Sequence, residues 1–67
     1  MSTSIDPRQA AINLYTSFFQ AELEQVAKDK EWINDNVTDS DKREKRLNYQ
    51  NWREERLNLL LALTATL

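Results

Sequence analysis

Apolar residues recur every seventh position at Ile12, Phe19, Val26 and Ile33, and Tyr15, Leu23 and Val37 fill the same stripe. With 3.6 residues per turn, a step of seven returns to nearly the same side of a helix, so this spacing predicts a seam against a second helix. Nothing between Pro7 and Asn36 breaks a helix, which at ~1.5 Å per residue predicts a rod about 45 Å long. A second stripe, Ala10, Leu14, Phe18, Ala21 and Trp32, lies on roughly the opposite side. Asn13, Ser17, Gln20, Glu24, Glu31 and Asp35 form a polar edge between the two stripes. This first helix is expected to be covered on two sides.

The start of that helix is marked by Asp6-Pro7-Arg8-Gln9: an N-cap, a proline at the first helical position and a glutamine placed for a capping box. Ile5 before the cap is placed to close over Ala10 as a hydrophobic staple. The segment NDNVTDSD, residues 34–41, is the interior cluster of turn-forming and capping residues, and the chain is expected to reverse there. Thr38 is the expected second cap, with Asp39 and Asp41 in the first turn where the helix dipole favours carboxylates; Asp41 with Glu44 is the alternative capping box.

The second helix is expected over residues 39–65, after a turn at 37–38, with Tyr49, Trp52, Leu59, Leu60, Leu63 and Leu67 on the stripe that meets helix 1. In its last turns Leu57, Leu61 and Ala65 form another stripe. A reversal at 37–38 sets residues opposite when their numbers sum to about 76, which brings Glu22 near Arg56 as an expected ion pair. The pattern as a whole predicts an all-α fold: two long antiparallel helices in one domain spanning residues 1–67, a helical hairpin with an apolar surplus at the end that holds both termini.

Two helices cannot bury that surplus, and composition points the same way. A chain of 67 residues secures only roughly 3–5 kcal/mol from its own core, and with neither cysteine nor histidine it has no disulfide and no thiolate or imidazole zinc site to add stability. Association is the remaining source. The expected assembly is a homodimer, a four-helix bundle formed around Leu14, Phe18, Ala21, Leu57, Leu61 and Ala65.

Chemistry has little to work with. The candidate acids and bases are carboxylates scattered over solvent edges at positions 22, 24, 29, 31, 54 and 55, with no Glu-x-x-His signature of a di-metal bundle site. The expectation is a non-enzymatic protein with no catalytic residue, no metal and no cofactor. Its expected role is that of a small adaptor, regulator or inhibitor that self-associates and docks on a larger protein partner.

The alternative is a nucleic-acid-associated factor using residues 42–56, where Lys42, Arg43, Lys45, Arg46, Arg53 and Arg56 are interleaved with Tyr49 and Trp52. Trp32, Lys42, Arg43, Arg46 and Arg53 are the residues expected on such a partner or nucleic-acid surface. Against it, Glu44, Glu54 and Glu55 would dilute a phosphate-facing stripe, and the net charge of −2 gives no overall attraction to a polyanion. The N-terminal MSTSIDPRQ lacks the basic start and apolar core of a signal peptide, and the apolar run 57–67 is about half the ~20 residues needed to span a bilayer, so a cytoplasmic location is expected.

Overall fold

The computed structural model describes residues 6–67, which form two α-helices, α1 (Pro7–Asn36) and α2 (Ser40–Ala65), joined through Val37, Thr38 and Asp39. The expected staple of Ile5 over Ala10 lies outside the described residues. Asp6 caps α1 by accepting the backbone N–H of Arg8 at 3.0 Å. Among the described residues, the Gln9 side chain makes its hydrogen bond to Asn13 one turn along, its amide N–H donating to Oδ1 at 3.0 Å. α1 ends without glycine: Val37 takes an extended conformation while its N–H still donates to the carbonyl of Ile33, and Asn36 Nδ2 donates to the carbonyl of Trp32.

The cap of α2 is Asp39, one residue later than the Thr38 expected from sequence. Its Oδ1 accepts from the backbone N–H groups of both Asp41 and Lys42, at 3.0 and 3.1 Å. A carboxylate satisfies two orphan donors at once and carries the charge that the helix N-terminus favours, an advantage a neutral hydroxyl lacks.

The helices run antiparallel: Asp29 and Lys30 of α1 meet Arg53 and Glu54 of α2, while Phe19, nearer the start of α1, lines a concavity with Leu63 and Thr64 near the end of α2. Facing residues on α1 follow alternating steps of four and three, Ile12, Thr16, Phe19, Leu23, Val26, Lys30, Ile33 and Val37, all buried or half-buried. The α1 seam is thus the stripe the sequence shows, except that Tyr15 is half exposed at its edge.

On α2 the packed side differs from the expected one. The buried and half-buried row is Arg43, Leu47, Gln50, Glu54, Leu57, Leu61 and Thr64, whereas Tyr49, Trp52, Leu59, Leu60, Leu63 and Leu67 are exposed. The apolar stripe carries Arg56 at its centre; the row that does pack places its charged member Glu54 2.8 Å from Lys30 of the α1 seam. Its remaining side chains are narrower than the two aromatic rings, which suits the 8–10 Å between packed helix axes. Its buried polar members are satisfied within the chain: Thr64 Oγ1 donates to the carbonyl of Leu60 at 2.8 Å, and Gln50 Oε1 accepts from Arg53 at 2.9 Å.

The Cα trace measures 61 × 20 × 9 Å, a single layer. Among the described residues, the apolar side chains it buries are Val26 and Ile33.

Candidate interaction face

Arg53 ties one side of the hairpin together. Its guanidinium reaches Asp29 at 3.1 Å and Glu22 at 3.4 Å, so two turns of α1 are linked to one residue of α2. Tyr15, Glu22 and Asp29 are seven apart and share a side of α1; Arg46, Arg53, Leu60 and Leu67 are likewise seven apart on α2. The Arg53 pairs place these two rows on the same face of the slab. The expected Glu22–Arg56 pair is replaced by Glu22–Arg53, and Arg56 lies over the Trp52 ring at 4.6 Å from its centroid. Arg53 is half-buried beside the seam row whereas Arg56 is exposed, so Arg53 is the cation that takes the carboxylates.

Two concavities open on this face. One, of about 410 Å³, lies toward the turn and is lined by Asp29, Trp32, Ile33, Lys45, Arg46, Tyr49 and Gln50. The other, of about 300 Å³, lies at the end holding the termini and is lined by Tyr15, Phe19, Leu60, Leu63, Thr64, Thr66 and Leu67. Phe18, 58% exposed, extends the apolar surface beside Tyr15 and packs edge-on against Phe19 at 5.8 Å. Exposed Tyr15, Trp32, Tyr49, Leu60, Leu63 and Leu67 are thus gathered along the same side as the Arg53 bridges, and the Glu22–Arg53–Asp29 cluster divides them into two ends.

The residues expected to build a self-association surface do not converge. Leu14, Phe18 and Ala21 are exposed on α1, but Leu57 and Leu61 are half-buried in the seam with α1, and Ala65 falls on neither of the concavities. The exposed apolar residues of α2 at that end are instead Leu59, Leu60, Leu63 and Leu67.

Of the expected partner surface, Trp32 and Arg46 come together in the larger concavity. Arg53 is engaged with Glu22, Asp29 and Gln50, Arg43 is half-buried in the seam row, and Lys42 stands exposed where its backbone N–H meets the Asp39 cap. Lys45 and Tyr49, which the sequence placed within the basic and aromatic segment 42–56, also line the concavity. They belong to the row Lys42, Lys45, Tyr49, Trp52 and Arg56, whose steps of three and four keep it on one side of α2.

That row also bears on the expected dilution by glutamates. Glu44 and Glu55 lie off it and Glu54 is held by Lys30, which leaves Asp41, one turn before Lys45, as the carboxylate of α2 on its cationic and aromatic side. Tyr49 and Trp52 stack at 5.9 Å with 24° between their planes. Among the described residues, no group of acidic side chains is arranged to hold a metal ion, and no helix is long and apolar enough to cross a membrane. Compared with known protein families, curated proteins and solved structures, the chain matches none of them.

Proposed function

We propose that this chain is a non-enzymatic interaction module, a small adaptor, regulator or inhibitor that works by docking the face bearing Trp32, Tyr49, Leu60 and Leu63 on protein. The observation that carries the reading is the gathering of exposed aromatic and leucine side chains on one side of a single-layer hairpin. A layer that buries two apolar residues has little internal core, and a second layer over the open face supplies the missing burial. The face runs along paired helices about 45 Å long and is 20 Å wide at the backbone, comparable with the ~800 Å² per partner of a standard protein interface.

The same face serves self-association. A second hairpin laid on it makes a dimeric four-helix bundle, with Leu14, Phe18, Leu60 and Leu63 in place of the Leu57 and Leu61 that the seam consumes. Each leucine or phenylalanine fully buried there contributes roughly 1.5–3 kcal/mol against the cost of association. Equilibrium sedimentation from about 1 to 100 µM tests this: the reading expects a monomer–dimer equilibrium that Leu63→Glu shifts to monomer. A wild-type chain that stays monomeric throughout, and binds no hydrophobic dye, would sink both self-association and the docking face.

The separation of Glu44 and Glu55 from the Lys42–Arg56 row favours a second reading, a nucleic-acid-associated factor. Retention on heparin at low salt, lost as salt rises and lost in Lys45→Glu, would support it.

A further inference from the structure

We propose that the concavity between Trp32 and Tyr49 receives an acidic segment of a partner protein, with one apolar side chain seated against Ile33 and neighbouring carboxylates held by Lys45 and Arg46. This rests on the docking reading above and names the partner chemistry for one end of the face.

The shape provides for the apolar anchor. The concavity, about 410 Å³, lies between Trp32 and Tyr49, which are 56% and 57% exposed, and its floor reaches Ile33 and Gln50, which are buried. A hollow of this size takes a single large side chain with part of its backbone. On the floor the Gln50 side-chain oxygen already accepts from Arg53, and its amide nitrogen, a donor only, is compatible with an acidic ligand.

Charge selects the flanks. Asp29, the one carboxylate lining the hollow, is already paired with Arg53 at 3.1 Å. Among the described residues neither Lys45 nor Arg46 is in an ion pair, so the hollow carries two uncompensated cations. The complementary ligand is an apolar side chain with Asp or Glu beside it. The other concavity, built from Tyr15, Phe19 and leucines, has no such charge and suits a second copy of the hairpin.

A nucleic acid is the weaker fit for this hollow. Base stacking needs free ring faces, and here Tyr49 is stacked on Trp52 while Arg56 covers Trp52, leaving Trp32 as the open platform. A phosphate backbone would also run beyond the two cations onto a chain whose net charge is −2.

The test is selection of phage-displayed random peptides, about twelve residues long, on the full chain, followed by calorimetric titration of the recovered sequences. The expected peptides carry Asp or Glu next to Leu, Ile or Phe, and weaken at least about tenfold against Trp32→Ala and against the Lys45→Glu/Arg46→Glu pair, but not against Gln20→Ala. All variants alter exposed residues, and circular dichroism confirms that each keeps its helices. Peptides without acidic enrichment overturn the inference. So does binding lost in Leu63→Glu and kept in Trp32→Ala, which moves docking to the other end and leaves the broader reading standing. Recovery of no peptide overturns the inference and leaves the broader reading to the sedimentation test. An oligothymidylate of about ten nucleotides that binds more tightly than any peptide, and is lost in Trp32→Ala, assigns the hollow to nucleic acid instead.

Discussion

Arg53 and Asp29 meet at 3.1 Å across the hairpin, at the boundary between its leucine-rich and its cationic end. The same guanidinium donates to buried Gln50 and reaches Glu22, and its side chain is 23% exposed. An exposed ion pair contributes about 0.2–1 kcal/mol, and a buried acceptor left without its donor costs about 1–3 kcal/mol. Arg53→Ala should therefore destabilise the hairpin by about 1–2 kcal/mol in urea unfolding, and Arg56→Ala, which loses a stack on Trp52, by about half of that or less. Equal effects from the two arginines would show that the Arg53 bridges do not set the register.

Lys30 and Glu54 form the second crossing, at 2.8 Å. A double-mutant cycle with Lys30→Met and Glu54→Gln should give a coupling of about 0.5–1 kcal/mol that shrinks as salt is raised, since the Glu54 side chain is 46% exposed and open to screening. A coupling indistinguishable from zero at low salt would argue that some other contact holds α2 in this orientation.

Asp39, not Thr38, carries the second cap. Asp39→Ala should cost about 1 kcal/mol and Thr38→Ala a few tenths, measured by thermal unfolding at one protein concentration. The opposite ranking would restore Thr38 as the cap.

Leu61 and Leu63 sit two residues apart and have different neighbours: Leu61 is half-buried in the seam, while Leu63 is 63% exposed. Leu61→Glu should lower helicity at every concentration, because it puts a charge between the helices, whereas Leu63→Glu should keep the monomer's helicity and weaken only association. If both variants keep full helicity, Leu61 does not belong to the seam.

Val26 has no exposed surface. Removing two methyl groups in Val26→Ala should cost about 1–2 kcal/mol, against almost nothing for Ala27→Ser on the exposed side of the same turn. In a layer this thin, a negligible Val26 effect would mean that the seam is not a packed core at all.

Several features were legible in the sequence because they depend on neighbours along the chain. Asp6-Pro7 marks the start of α1 by local hydrogen bonding and a fixed φ; the polar cluster 34–41 marks the reversal; and the seven-residue recurrence from Ile12 to Ile33 identifies the packed side of α1, since only one row there is continuously apolar. The side that α2 turns inward was not legible in the same way. Two rows on α2 have suitable spacing, and the more apolar of them, from Tyr49 to Leu67, stays in solvent. The packed row contains Arg43, Gln50 and Glu54, which look unfavourable when α2 is read alone. They become acceptable only when Lys30 stands opposite Glu54, and when Glu22 and Asp29 hold Arg53 so that it can satisfy Gln50. The energy of a half-buried charge depends on what lies across the interface, so tertiary structure decided the face that α2 buries and, with it, the face left open for partners.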